Sequence, residues 1–300
     1  MAKTTREIAP EVANQALSKQ PIFLATFKGY YSIDQTIAMV EQLLEKVKAL
    51  AFPLHIAAPL DFITPLTKHF AEQPIAFGAD IMPSSEPTAF TGSIAGLCLQ
   101  KLGCKFALIG TAQERTIYAL SGPALKNKIE EALKTEIHPI FAIGESLHEF
   151  EDSISEKIFS QQLSDTLEGL SKEQLDKISI LYDAPWLSDS PWGDTSEYAP
   201  KAYGKFVKAI QDYFKSKGAA PSLLFSIPCF AEHLPKTPSD ANCGGYYAGV
   251  FTPSHAIEPI HLHAEAPPHE APKPETKAED PPKAKEADAA NPPPPSDKKT

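Results

Sequence analysis

Long apolar runs are absent from this sequence. A membrane-spanning helix needs about 18 or more consecutive apolar residues, and no stretch of that length occurs among the 300 residues. The first ten residues, MAKTTREIAP, also contain no apolar block of the kind that forms a secretory signal. The sequence therefore predicts a cytoplasmic protein that does not enter a membrane.

Cysteine is scarce, and basic charge is in the minority. The four cysteines, Cys98, Cys104, Cys229 and Cys243, are widely spaced and form no C-x-x-C pair, so neither a zinc ribbon nor a disulfide scaffold is predicted. Lys and Arg number 28 against 38 Asp and Glu, which gives a formal net charge of −10. Because nucleic-acid binding needs clustered Lys and Arg, this balance argues against a nucleic-acid partner.

Proline is plentiful but unevenly placed. Ten of the 29 prolines lie in residues 264–300, which contain no aromatic residue. A segment with so little to bury cannot offset the entropy lost on ordering, so we expect a disordered low-complexity tail there. Residues 1–20 are expected to form an N-terminal extension. Residues 21–263 remain as one domain, close to the roughly 250 residues typical of a (β/α)8 barrel.

Eight short apolar segments recur along this domain at regular intervals. They are Pro21–Lys28, Pro53–Pro59, Pro74–Ile81, Lys105–Thr111, Pro139–Glu145, Ile178–Pro185, Ser222–Pro228 and Gly245–Val250. Most are continuously apolar rather than alternating, which is typical of parallel strands covered on both faces. Eight such strands are enough to close a barrel.

Helical patterns lie between the predicted strands. Ser32–Leu50 opens with S-I-D-Q, a capping box, and Thr91–Leu102 stops at Gly103, a candidate C-cap. Three further helices are predicted in later intervals, over Lys126–Lys134, Ile154–Leu170 and Tyr198–Lys217. Strands alternating with helices predict an α/β fold. A doubly wound sheet is the rival, but no G-x-G-x-x-G follows the first strand.

Four motifs in the domain resemble one known family. They are G-A-D-I-M-P-S-S-E-P-T-A-F-T-G-S-I-A at 78–95, L-G-C-K-F-A-L-I-G-T-A-Q-E-R at 102–115, P-I-F-A-I-G-E at 139–145 and Y-D-A-P-W at 182–186. Their order and spacing resemble the triosephosphate isomerase family from about residue 21 to 262. The resemblance implies a TIM barrel that interconverts D-glyceraldehyde 3-phosphate and dihydroxyacetone phosphate, a step of glycolysis and gluconeogenesis. It implies no cofactor and no metal.

The resemblance also indicates which residues stand at the catalytic positions. The family's lysine falls on Lys28, its electrophilic histidine on Thr111 and its general base on Asp183. A threonine hydroxyl donates a hydrogen bond but cannot shuttle a proton as imidazole does. The aspartate side chain is one methylene shorter than the family's glutamate, which withdraws the carboxylate by about 1 Å, a displacement that can cost ~10²-fold in rate.

The substrate-binding positions are altered in the same way. Thr26 replaces a family asparagine, and Asp189 replaces a glycine that approaches the phosphate. In the loops after the last two strands, Pro228 has no N–H to donate to a phosphate. Only Gly249 survives from the final glycine pair, because its neighbour is Val250. The changes at Asp189, Pro228 and Val250 predict weak phosphate capture.

One part of the alignment admits two registers. In the favoured register, Gln113 stands at the family's buried glutamate. A one-residue insertion would instead place Glu114 and Arg115 on the family's E-R pair, but the unchanged offset of Thr91 and Lys128 argues against it.

The positions that build the barrel match the family, whereas most of the polar positions that perform its chemistry are changed. This pattern predicts that isomerase activity is lost or greatly reduced and that the barrel acts as a non-catalytic binding or scaffold protein. Two alternatives stay open: a divergent but functional triosephosphate isomerase, and an altered sugar isomerase that uses Lys28 and Asp183. The expected partners are a second copy, bound through the loop Met82–Gly92, and a small phosphorylated sugar, bound weakly.

Overall fold

The computed structural model describes residues 21–27, 31–50, 52–83, 94–188, 194–227 and 241–249. The predicted N-terminal extension and the predicted tail lie outside the described residues. Within the part of the chain that is described, no helix has the length and apolar character needed to cross a membrane.

Eight strands and ten α-helices alternate along the described chain. The strands are β1 (Ile22–Thr26), β2 (Leu54–Ala58), β3 (Ile75–Ala79), β4 (Phe106–Ile109), β5 (His138–Ile143), β6 (Ser179–Tyr182), β7 (Ser222–Ser226) and β8 (Cys243–Ala248). The helices are α1 (Ile33–Leu50), α2 (Leu60–His69), α3 (Gly96–Leu102), α4 (Ala112–Thr116), α5 (Gly122–Lys134), α6 (Leu147–Glu151), α7 (Ser155–Leu167), α8 (Lys172–Leu175), α9 (Pro185–Ser188) and α10 (Ala199–Lys215).

The strands form a closed parallel barrel in sequence order, and β1 pairs with β8 to complete it. This confirms the predicted (β/α)8 TIM barrel. All eight predicted strands are present, because continuous apolar runs suit strands that are buried on both faces. The strand β8 begins at Cys243, two residues earlier than predicted.

The strands separate two apolar layers. The residues that face the barrel axis form the inner layer: Ile22, Leu24, Ala57, Ala76, Phe106, Leu108, Ile140, Ala142, Leu181, Leu224 and Tyr247. The alternate strand residues pack outward with the helices in a larger core. This alternation arises because successive side chains along a strand point to opposite faces. The loops that follow the carboxyl ends of the strands surround the mouth of the barrel.

Two histidines share the inner layer with these apolar side chains. His55 packs against Phe106 with 5.5 Å between ring centroids, and His138 Nε2 lies 2.9 Å from the hydroxyl of Ser179. Burial lowers the pKa of each histidine to about 4. Both imidazoles are therefore neutral in the folded barrel at neutral pH, which suits their apolar surroundings.

The helix ends follow the local sequence signals in most places. Ser32 and Gln35 form the predicted capping box, with hydrogen bonds of 3.2 and 2.9 Å. Gly103 ends α3 with φ +97°, a left-handed conformation that favours glycine. The same helix begins at Gly96 rather than at Thr91, because Ala95 is extended.

Gly245 is fixed by close packing between β8 and β1. Its φ is +141°, and a Cβ at this position would lie 2.1 Å from the carbonyl oxygen of Ile22. Gly244 is also closely packed, because a Cβ there would lie 1.8 Å from the side-chain hydroxyl oxygen of Ser222. These glycines close the barrel at its amino-terminal end, away from the mouth.

Gly245→Ala is expected to lower the free energy of unfolding by about 3 kcal/mol or more, since it combines backbone strain with overpacking. The matched control is Gly204→Ala in α10, where no atom lies within 4 Å of the added Cβ and helix propensity predicts a gain of up to ~1 kcal/mol. Urea unfolding of the two variants measures both effects. Equal stability of Gly245→Ala and the unsubstituted protein would contradict this interpretation.

Candidate functional site at the barrel mouth

The candidate site lies at the carboxyl ends of the strands, where the loops of a (β/α)8 barrel carry its chemistry. Four residues predicted from the sequence are described there: Thr26 at the end of β1, Thr111 after β4, Asp183 after β6 and Gly249 after β8. The other predicted site residues lie outside the described residues: Lys28, Asp189, Pro228 and Val250.

Thr26 and Gly249 contact each other directly. The Thr26 hydroxyl donates a hydrogen bond of 2.5 Å to the carbonyl oxygen of Gly249, and the side chain is only 8% exposed. This bond joins the mouth ends of β1 and β8, which are neighbours in the barrel. The Thr26 hydroxyl is therefore engaged in a contact within the protein.

Thr111 caps the short helix α4. Its hydroxyl oxygen accepts a hydrogen bond of 3.3 Å from the backbone N–H of Glu114, and the residue is 8% exposed. Threonine is a favoured N-cap because its oxygen satisfies one of the N–H groups left over at a helix start. Thr111, which the resemblance aligns with the family's histidine, thus has a structural role in this chain.

Asp183 reaches the same helix from the end of β6. Its Oδ2 accepts a hydrogen bond of 2.7 Å from the backbone N–H of Ala112, and its own N–H donates to the carbonyl of Ile143 at 2.8 Å. The side chain is only 6% exposed. The structure therefore brings Thr111 and Asp183 together at the first turn of α4.

A cavity of about 780 Å³ opens between the loops that follow β4, β5 and β6. Its lining includes Asp183, Arg115, Glu145, Glu149 and Trp186. Carboxylates outnumber cationic groups among these residues, which is unfavourable for a phosphate dianion. Among the described residues, no cluster of three or more His, Cys, Asp or Glu side chains is arranged to hold a metal ion.

Glu145 is a buried acid beside this cavity that sequence reasoning left without a role. It is 3% exposed, and its Oε1 accepts a hydrogen bond of 3.1 Å from the hydroxyl of Tyr182. Its Oε2 has no hydrogen-bond partner among the described residues, and neither has Nε1 of the buried Trp186. Burial raises the pKa of Glu145 to about 7.

Glu114 is the buried carboxylate of this segment, whereas the favoured register assigned the family's buried glutamate to Gln113, the residue before it. Glu114 is 2% exposed, and its carboxylate accepts bonds of 2.6 Å from both the Lys128 ammonium and the Gly110 N–H. Gln113 is exposed. The buried carboxylate of this segment is therefore Glu114, one residue beyond the position that the favoured register indicates.

The closed barrel, with polar groups at the carboxyl ends of its strands, defines a (β/α)8 protein whose candidate site lies at the mouth. The family model described as triosephosphate isomerase matches residues 21–223. Since this match covers more than half of the chain, the protein belongs to the triosephosphate isomerase family, whose members are isomerases.

Individual relatives agree with this assignment. The chain is 26% identical over 201 residues to the triosephosphate isomerase of Clostridium tetani, covering 67% of this chain and 79% of that protein. It is 26% identical over 198 residues to that of Dictyoglomus turgidum, covering 65% and 80%. The crystal structure of triosephosphate isomerase from Bartonella henselae superposes with a TM-score of 0.59 at 19% identity, covering 76% and 92%. The superposition shows a shared fold.

Proposed function

We propose that this chain is a triosephosphate isomerase family member whose isomerase activity is lost or greatly reduced, and that its barrel serves as a non-catalytic binding or scaffold protein. The family reaction needs a carboxylate that removes a carbon-bound proton and an imidazole that polarises the carbonyl. The observation that carries the proposal is the N-cap contact of Thr111, whose hydroxyl oxygen accepts the Glu114 N–H at 3.3 Å, because it places a capping hydroxyl where the resemblance places the imidazole. The Asp183 carboxylate at the base position accepts the Ala112 N–H at 2.7 Å.

A threonine at this position also cannot do what the family's imidazole does. Thr111 is one of the two residues that would act on the substrate oxygens, yet its hydroxyl oxygen caps α4. A hydroxyl has no imidazole-like pair of nitrogens to pass a proton between two oxygens. The sequence adds that the phosphate loop contains Pro228 in place of an N–H donor, which supports weak binding of a phosphorylated sugar.

A coupled assay with glyceraldehyde 3-phosphate, combined with a binding titration of glycerol 3-phosphate, tests this function. We expect turnover far below that of the family and no tight binding of the analogue. Turnover near the rate of an active relative, or tight analogue binding, would restore the ordinary isomerase assignment.

We also propose that the protein is located in the cytoplasm. The free thiols of Cys98, Cys104 and Cys243 support this location, because thiols stay reduced in the cytosol.

We also propose a homodimer, formed through the loop Met82–Gly92, most of which lies outside the described residues. The structure offers an apolar surface near the mouth that suits a second copy: after α4, Ile117 is 72% and Tyr118 is 63% exposed. Adjacent exposed residues of this size are typical of surfaces that a partner covers.

Light scattering is expected to give twice the chain mass of 32.6 kDa. A charge at the exposed apolar tip, in the variant Ile117→Glu, is expected to shift the protein toward the single-chain mass. Glu130→Gln on the exposed face of α5 serves as a control that keeps the dimer. A monomer of the unsubstituted protein at micromolar concentration would remove the dimer proposal.

A further inference from the structure

The outward face of β8 is less completely covered than the faces beside it. Tyr246 on this face pairs in register with Phe23 of β1 and Phe225 of β7. The two phenylalanines are at most 1% exposed, whereas Tyr246 is half-buried. The tyrosine ring packs beside Phe52, also half-buried, with 6.2 Å between ring centroids. Because the outer ring of helices normally covers the outward face of each barrel strand, this face leaves apolar surface for a further element to cover.

A groove of about 440 Å³ opens at the start of β8. It lies between the second half of α10 and the residues that lead into β7 and β8. Apolar side chains form much of its lining: Val207, Ile210, Phe214, Leu223 and Ala241. Three exposed polar residues also line it: Gln211, Lys215 and Asn242. A groove with an apolar lining and a polar rim fits one face of an amphipathic helix.

The connections after β7 and β8 are poorly suited to form the helices that would cover this region. Residues 228–240 contain three prolines and residues 250–262 contain two, so the longest stretches free of proline are six and five residues. An interior proline removes a helix hydrogen bond and clashes with the preceding turn. The neighbouring helix α10, by comparison, has 17 residues. Both connections lie outside the described residues, and their sequences predict at most one or two turns of helix each.

The first twenty residues supply a segment with the pattern to fill the groove. Residues 6–17 place Ile8, Val12 and Ala16 four residues apart, which puts their side chains on one face of a helix. Pro10 falls near the start of this segment, where a helix tolerates proline. The sequence of the segment therefore predicts an amphipathic helix.

The same segment also has the reach to arrive at the groove. It joins β1 through residues 18–21, and β1 starts beside β8 at the same end of the barrel as the groove. Two strand spacings of about 4.8 Å separate β1 from β7. Four extended residues span about 13 Å, which is enough to cross this distance.

We propose that residues 6–17 form an amphipathic helix that docks into the groove between α10 and the starts of β7 and β8, with the side chain of Val12 against its apolar lining. The occupant of the groove is thus a segment of the same chain. It supplies the outer cover that the proline-containing connections after β7 and β8 lack. This inference is independent of the proposed loss of activity, since the groove lies at the amino-terminal end of the barrel, away from the mouth.

A pair of substitutions in the full chain tests the docking. Val12→Asp places a charge on the face that meets the groove, and Asn14→Asp places the same charge on the opposite face of the helix. Urea unfolding is expected to show about a 10-fold higher ratio of unfolded to native protein for Val12→Asp, because a valine loses its burial. Asn14→Asp is expected to change the ratio less than about 2-fold. Equal effects of the two substitutions would contradict the docking.

Amide hydrogen exchange locates the segment without relying on the stability of the whole barrel. In the unsubstituted protein, the amides of residues 12–17 are expected to exchange at least about 10-fold more slowly than in an unstructured chain, and Val12→Asp is expected to remove this protection. Ala241→Glu puts a carboxylate into the groove and is expected to remove it as well. Gly204→Glu is the matched control, because it adds the same carboxylate to α10 at an exposed position outside the groove lining, and protection is expected to persist.

The remaining outcomes would each overturn the proposal. Fast exchange of residues 12–17 together with slow exchange of residues 250–262 would assign the groove to the connection after β8. Protection that survives Ala241→Glu would place the segment elsewhere on the barrel. Protection that disappears on dilution, as light scattering falls to the single-chain mass, would assign the groove to a second copy of the chain. Fast exchange in both segments would show that neither of them docks.

Discussion

Isomerisation of glyceraldehyde 3-phosphate by the purified protein is expected to be at least about 10⁴-fold slower than by an active family member assayed in parallel, such as the Clostridium tetani relative. General acid–base groups contribute ~10²–10⁴-fold in rate, and a donor that stabilises a developing oxyanion contributes ~10²–10³-fold. Thr111 cannot supply the electrophile, and the Asp183 carboxylate is both shorter than the family's glutamate and bonded to Ala112. These losses do not simply multiply, because catalytic groups act as a unit.

Restoring single residues is expected to recover little of this activity. Thr111→His returns an imidazole to the mouth but removes the N-cap of α4, and Asp183→Glu returns a longer base while disturbing the contact with Ala112. Weak phosphate capture at Pro228 and Val250 would persist in both variants. Since binding energy from the remote phosphate drives lid closure and raises kcat, the double variant Thr111→His and Asp183→Glu is expected to remain within about 10-fold of the unsubstituted protein.

The same assay includes outcomes that would contradict the prediction. Turnover within about 100-fold of the active relative would show that Thr111 and Asp183 suffice for the chemistry. Micromolar binding of glycerol 3-phosphate would show that the phosphate site survives its substitutions. A large rescue by Asp183→Glu alone would mean that only the position of the base limits the rate.

The fold could be predicted from the sequence because its signals are local and mutually consistent. Continuous apolar runs such as Pro139–Glu145 indicate buried parallel strands, and each is followed by a helical pattern or a cap. The helix α2 was missed, since Pro65 lies inside it and a proline normally indicates a helix end. Its apolar face, with Ile63 and Leu66 fully buried, outweighs the lost backbone hydrogen bond.

The site was predictable in its positions but not in its contacts. Spacing placed Asp183 and Thr111 at strand ends, and the barrel brings both to α4. The pairing of Asp183 with the Ala112 N–H joins residues 71 positions apart, and no local pattern carries that information. The identity of the buried carboxylate also required the structure, because sequence offsets favoured Gln113 and only burial identifies Glu114.

Glu145 couples the stability of the protein to pH in the direction opposite to the buried histidines. The folded-state pKa of Glu145 is raised to about 7 from an ordinary value of 4.5, so its favourable contribution is complete below about pH 4.5 and is lost as the pH rises through 7. The pKa values of His55 and His138 are lowered to about 4 from 6.5, so their contributions are complete above pH 6.5 and are lost as the pH falls toward 4. Because burial also raises the pKa of Asp80 to about 6, two acids oppose two histidines between about pH 4.5 and 6, and the unsubstituted protein is expected to show a shallow pH dependence there.

Glu145→Gln separates these contributions, because a neutral amide retains an oxygen for the Tyr182 hydroxyl and cannot ionise. A pKa shift of this size corresponds to about 3 kcal/mol, so the variant is expected to exceed the unsubstituted protein in unfolding free energy by about 3 kcal/mol at pH 8 and by only about 1 kcal/mol at pH 5. Urea unfolding at both pH values measures the difference, and Glu130→Gln, an exposed acid on α5, serves as the matched control with no comparable change. Because the histidines are identical in both proteins, their titration cancels from the comparison. A gain that is the same at pH 5 and pH 8 would mean that Glu145 ionises normally in the folded state, and that the buried acid beside the mouth carries its charge at neutral pH after all.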